Sequence, residues 1–145
     1  MRHIIMEVYY QALGFHPASA FAGAGDSTAE RSAAERSAER FVMSILQSVV
    51  GKYVVVRSYS SGVFAGTIVS AEPSGEGRSR VVIDGSRRLW SWQAKSGVAL
   101  GGVAANGVDA ARSKIDSPIN GHVVDDVIEI LPASDAAKES IYGAK

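Results

Sequence analysis

Two short stretches concentrate the side chains that could do chemistry: Arg57-Ser58-Tyr59-Ser60-Ser61-Gly62-Val63-Phe64 and Arg87-Arg88-Leu89-Trp90-Ser91-Trp92. Guanidinium forks suit phosphate oxygens bidentately, aromatic planes suit a purine, and a Ser/Gly turn offers hydroxyls and backbone N–H donors. That set fits a nucleotide ligand. Nanomolar affinity requires about 12 kcal/mol, whereas one purine stack supplies roughly 1–3 kcal/mol and each charged hydrogen bond about 1.5–3 kcal/mol. One stack and two arginines fall short, so tight binding needs an enclosed pocket with contacts from two protomers. Each residue also has a plainer reading: the indoles as core or interface anchors, Arg57 as a solvent-facing charge, and Arg87 or Arg88 as edge-strand charges that discourage aggregation.

The catalytic inventory is thin. There is no cysteine, and the three histidines, His3, His16 and His122, are scattered along the chain, which argues against thiol chemistry and a resident metal. No glycine-rich phosphate loop with its lysine occurs, and no serine sits in a nucleophile elbow. His122 lies near Asp116, Asp125 and Asp126 in sequence, but with no nucleophile identified beside it the segment reads as a turn. We therefore expect no enzyme and no cofactor. The 15 Lys and Arg balance 15 Asp and Glu, which disfavours general coating of duplex nucleic acid. No apolar run approaches the roughly 20 residues that cross a bilayer, so a soluble cytoplasmic protein with no membrane partner is expected.

Composition changes near residue 50. Residues 1–42 read as a disordered or helical N-terminal extension, and 43–145 as a single α+β ligand-binding domain. Met43 leaves open a second reading, in which translation begins there. From His16 to Asp26 small residues and glycine predict a loop. Ser27-Thr28-Ala29-Glu30 has capping-box spacing, and the near-repeats AERS, AERS and AERF predict a solvated helix from about Thr28. Phe41, Ile45 and Val49, with Val42 and Leu46 beside them, form an apolar stripe whose final stretch should dock, ending near Gly51.

Beyond Lys52 the pattern is β. Residues 53–57 and 63–71 flank the Ser60-Ser61-Gly62 turn, residues 73–79 form a loop, and residues 80–83 and 87–92 flank Asp84-Gly85, a strong hairpin signal. These make four consecutive antiparallel strands. Residues 96–105 form a short helix stopped by Asn106-Gly107, residues 123–131 a strand, and Ser134 caps a helix over 135–142. The fold class is α+β, an antiparallel sheet of about five strands with short flanking helices. Residues two apart share a face, so Arg88, Trp90 and Trp92 project together, as do Tyr53, Val55, Arg57 and Tyr59. Val81-Val82-Ile83 is apolar on both sides, which predicts that both faces are covered. So few helical core residues can hardly cover both, and a homo-oligomer built on a dimer is expected.

Three motifs carry a family resemblance: Gly51-Lys52-Tyr53-Val54-Val55-Val56-Arg57-Ser58-Tyr59-Ser60-Ser61-Gly62-Val63-Phe64-Ala65-Gly66, then Arg87-Arg88-Leu89-Trp90-Ser91-Trp92, then Val127-Ile128-Glu129-Ile130-Leu131-Pro132. Together they resemble small phage proteins of the first-described Thoeris anti-defence family. Those are sponges that sequester cyclic ADP-ribose isomers made by bacterial TIR immune enzymes, and some also hold cyclic oligonucleotides at separate sites. The resemblance runs over about residues 44–142. It implies a non-enzymatic protein of the infected host's cytoplasm that releases its ligand intact and assembles as a dimer or trimer of dimers. By position it implies ligand contacts from Arg57, Tyr59, Ser60, Gly62, Arg88, Trp90 and Trp92, with Arg57 and Arg88 facing phosphate and an aromatic stacking on adenine. Three departures stand out: Ser61 where the family has a small residue, an unusually Gly-rich helix after the second motif, and the 42-residue extension.

A competing reading is similar to the Sm and Hfq-like strand-bent barrels, in which a helix precedes the first strand and the ligand is single-stranded RNA. The neutral charge and the long segment after Trp92 count against it. In a third reading the chain is a phage structural module whose indoles are interface residues.

Overall fold

β-Branched residues on both sides of the backbone make Tyr53–Ser58 a strand that must be covered on two faces. In the computed structural model, which describes residues 27–145, the element order is α1 (Ser27–Gln47), β1 (Tyr53–Ser58), β2 (Gly62–Gly75), β3 (Arg78–Ser91), α2 (Ala99–Asn106), a 3₁₀ turn (Ala110–Arg112), β4 (Lys114–Ile115), β5 (His122–Pro132) and α3 (Asp135–Gly143). The architecture is the expected α+β class, with an antiparallel sheet of five strands. The expected loop from His16 to Asp26 lies outside the described residues, as do His3 and His16. Contacts divide the chain between Val42 and Met43. Before that point α1 exposes Glu35, Arg36, Glu39 and Arg40, the solvated surface its composition predicts. Of the apolar stretch expected to dock, Leu46 is buried, Val42 and Val49 are half-buried, and Phe41 and Ile45 are exposed.

The strands close on themselves. β1 pairs with β2 and β5, β5 pairs with β3, and β3 pairs back to β2, while β4 extends the far end of β3. The side chains turned into this ring include Val54, Val56, Phe64, Ile68, Val81, Ile83, Val124 and Val127, all 4% exposed or less. On the outside, Tyr53, Val55, Ala65 and Leu89 join Leu100 and Val103 of α2 and Ile141 of α3 in a second apolar layer. One chain thus covers both faces of β1. The coverage argument for an oligomer fails because closure of the ring hides the inner face, which a flat sheet would have left open.

Asp84-Gly85 is not the expected hairpin turn. β3 runs through it as one continuous strand, and the register shifts between the pairs Ala65↔Arg87 and Thr67↔Asp84, so Gly85 and Ser86 bulge opposite Gly66. The positive φ of Gly85, +60°, bends the strand instead of reversing it. A clasp holds the bend: Gly85 N donates to Asn120 Oδ1, and Gly121 N to Asp84 Oδ1, each at 2.8 Å. Gly66 cannot carry a side chain, since a Cβ there would meet the Ile83 side chain and come within 2.9 Å of the Asp84 carbonyl. The true reversal between β2 and β3 is Glu76-Gly77, with φ of +52° and +72°, the two-residue geometry that suits strand twist.

Helix ends follow the sequence more closely. Gly107 stops α2, its N–H bonding the Val103 carbonyl, and Ser134 caps α3 by accepting from Ala137 N at 3.1 Å. Arg87 is not the edge charge of its plainer reading: it is 5% exposed. Its guanidinium donates to the carbonyls of Ile141, of Tyr142 at 3.1 Å, of Ala144 at 2.7 Å and of Asp116 at 2.7 Å. It therefore sits at the C-terminus of α3, where orphan carbonyls and the helix dipole favour a cation.

Candidate functional site

The β1–β2 turn and the end of β3 meet where Phe64 pairs with Arg88. The guanidinium carbon of Arg88 lies 5.4 Å from the Phe64 ring centre and 5.3 Å from that of Trp90, so the cation rests against two aromatic rings. Nη2 donates to the Ser61 carbonyl, the only hydrogen bond the Arg88 side chain makes among the described residues. Gly62, at φ +102°, turns the chain beneath it; a Cβ there would sit 3.7 Å from Nη2. Phe64 forms the buried floor at 4% exposure, whereas Trp90 is 69% exposed. His122 completes the cluster, edge-on to Phe64 at 4.8 Å with Nδ1 2.9 Å from Ser86 Oγ. Its pKa is lowered first by burial and then by the Arg88 charge. Ser86 itself is only 2% exposed, which leaves its hydroxyl no approach for a ligand. The exposed Ile119 lies alongside through backbone bonds to Ser86 of 2.7 and 2.9 Å.

Tyr59 and Ser60 fall on the other side of the same turn. The Arg78 guanidinium lies 5.0 Å from the Tyr59 ring centre and donates to Asp126 Oδ1 at 3.0 Å. Ser60 Oγ donates to the second oxygen of Asp126 at 3.5 Å, and Tyr59 N to its carbonyl at 2.9 Å. Asp126 has a φ of +54°, next to the register shift that sets Ser58 against Val127. Neighbouring Arg80 bonds Asp125 and Glu72, and its hydrogen bond holds the Asp125 carboxyl below the usual carboxylate range.

Two expected members are elsewhere. Arg57 pairs with Val63 and Glu129, while Arg88 pairs with Phe64; by strand alternation they occupy opposite faces of the sheet. Arg57 is exposed, and its side chain makes neither a hydrogen bond nor an ion pair among the described residues. The expectation that both arginines face one ligand is therefore not met within a single chain. Trp92 packs against the helix-side core, not beside Trp90. The reason is the register shift between Leu89 and Ser91, which inserts one residue opposite β4 and breaks the two-residue alternation. Of the seven residues expected, Gly62, Arg88 and Trp90 share one cluster, and Tyr59 and Ser60 share the adjacent one. The sequence reading missed His122, Arg78 and Asp126 as members. No local signal marks Arg78 or Asp126, because they meet only through strand pairing.

Chemically, the first cluster offers guanidinium N–H donors with no internal partner beside an open indole face, which suits a planar ligand carrying an anion. Among the described residues no group of three or more His, Asp or Glu could hold a metal ion, and no helix is long and apolar enough to cross a membrane. A family model described as a domain of unknown function, DUF6948, matches residues 51–141, a stretch that contains both clusters. No curated protein and no solved structure matches the chain.

Proposed function

The chain belongs to the DUF6948 family, and we propose that it is a non-catalytic binding protein that holds a cyclic nucleotide intact, with a purine on Trp90 and phosphate on Arg88. The observation that carries this reading is the Arg88 guanidinium held between Phe64 and an indole that is 69% exposed. An indole left open beside an immobilised cation loses little side-chain entropy on binding and presents both halves of a nucleotide's chemistry. The resemblance to the Thoeris anti-defence sponges supplies the class of ligand, a cyclic ADP-ribose isomer, and the setting, the cytoplasm of an infected bacterium. One stack and one arginine give too little for nanomolar affinity, so tight capture calls for a second copy of the chain to close the site, as a dimer or trimer of dimers.

The test is incubation of purified protein with cyclic ADP-ribose isomers, cyclic oligonucleotides and a short U-rich RNA, followed by thermal shift and analysis of ligand released on heating. Recovery of unaltered cyclic nucleotide, lost in Arg88→Ala and Trp90→Ala variants that still fold, is the expected result. Cleaved ligand, or capture undiminished in both variants, refutes it. A second reading draws on the closed ring of β1, β2, β3 and β5 preceded by α1, a feature of the Sm and Hfq-like barrels. On that reading the RNA binds, with affinity falling steeply as salt rises.

A further inference from the structure

Both asparagines of the chain precede glycine, as Asn106-Gly107 and Asn120-Gly121. In such a pair the glycine nitrogen can attack the asparagine side-chain carbonyl, because a following residue without Cβ leaves the approach open. The fold treats the two pairs differently. Gly107 is buried, its N–H is tied to the Val103 carbonyl at 2.8 Å, and a Cβ there would strike the Ser140 side chain. Asn106 Nδ2 donates to the Ser96 carbonyl at 3.0 Å, so nucleophile and acceptor are both held by backbone groups. Asn120 and Gly121 are instead exposed, and Gly121, at φ +64°, has nothing within 4 Å of where its Cβ would lie. Their only named polar partners belong to the clasp at the β3 bend. Gly85 N–H donates to Asn120 Oδ1, and Gly121 N–H donates to the exposed Asp84 carboxylate, both at 2.8 Å.

We propose that Asn120-Gly121 is a self-modification site, at which the clasp speeds loss of the Asn120 amide as ammonia. Each half of the clasp has a part in the step. The Gly85 N–H polarises the Asn120 carbonyl and is placed to stabilise the oxyanion that forms there. The Asp84 carboxylate takes the proton from Gly121 N as that nitrogen bonds to Asn120 Cγ. The proton then goes to the side-chain nitrogen, the Cγ–N bond breaks, and ammonia leaves a five-membered succinimide. Water opens that ring at either carbonyl, to aspartate or to isoaspartate. Both products disturb the clasp. Aspartate sets a second negative charge beside Asp84, and isoaspartate puts an extra methylene into the main chain just before β5. Ageing of the chain thus releases the bend in β3, with no ligand or partner required.

The experiment follows the full chain at neutral pH over days by peptide mass spectrometry, which reads the amide-to-acid mass gain at each asparagine. A free peptide of residues 115–125 serves as the uncatalysed reference. Asn120 in the folded chain should convert at least about tenfold faster than Asn106 and than the peptide, a modest share of the ~10²–10⁴ that a positioned base can supply. Asp84→Ala should bring Asn120 down to the peptide rate or below while Asn106 stays within about twofold of its wild-type rate, since the exposed Asp84 touches nothing near it. A rise at Asn106 would mark an unfolded variant, and the comparison of wild type with peptide then decides alone. Aged protein separated by charge should melt below fresh protein, and equal melting overturns release of the bend. Conversion of Asn120 no faster than in the peptide, equal rates at the two asparagines, or faster conversion in a folded Asp84→Ala variant overturns the catalysed site, showing that the clasp protects Asn120 instead.

Discussion

Replacing Arg87 with methionine tests the assignment of this side chain as the buried cap of α3. The variant keeps most of the aliphatic volume and removes a guanidinium that contacts four carbonyls, three of them at the end of that helix. Charged hydrogen bonds contribute about 1.5–3 kcal/mol each, but a sum over four overstates the loss, since the substitution also removes the cost of desolvating the cation. Breaking such a buried charge network costs about 3–5 kcal/mol, and in a unit of about 100 residues each kcal/mol moves Tm by roughly 4–8 °C. The expected fall is therefore at least about 12 °C, with an unchanged denaturant slope. Arg87→Lys should recover only part of it, because one ammonium cannot reach carbonyls that a planar fork spans. Hydrogen exchange would report the loss locally, as faster exchange along α3 relative to β1. A methionine variant within about 4 °C of wild type would refute the reasoning, showing that the interactions only offset the burial of the charge.

Two further predictions concern single groups. The Tyr53 hydroxyl is buried with no hydrogen-bond partner among the described residues, and burial pushes its pKa above the ordinary phenol value; Tyr53→Phe removes a desolvated polar group and should raise stability by about 1 kcal/mol, measured by urea unfolding, and a loss of that size would contradict the assignment. The His122 pKa is lowered by burial and by Arg88, so the unfolded chain takes up the proton more readily. The contribution of the neutral imidazole is then complete above the unfolded value of 6.5 and is lost as the pH falls through the lower native value. Compared with His122→Gln, wild type should lose Tm faster between pH 7 and pH 5, and parallel curves for the two proteins would exclude the shift.

Much of the local structure was readable before any coordinates. The Ser134 cap, the Gly107 stop, β1 and the turn at Ser60-Ser61-Gly62 each depend on residues within a few positions of one another, and each appears where its chemistry puts it. The residue types of the candidate site, arginine with aromatics beside a Ser/Gly turn, were legible for the same reason. Facing was not. Arg87 and Arg88 are identical in type and adjacent in sequence, yet one is sealed into a helix terminus and the other lies against an open indole. Which is which depends on the bulge at Gly85-Ser86, and that bulge exists because β3 pairs with β2 across Gly66 instead of folding back at Asp84. Trp90 and Trp92 part company through a second shift, set by β4, a strand two residues long that carries no pattern of its own. The Tyr59, Arg78 and Asp126 cluster likewise joins three strands or turns far apart in the chain. A side chain's partners across a sheet are chosen by register, and register is a property of two strands together, so only the closed ring could decide which of these groups would meet.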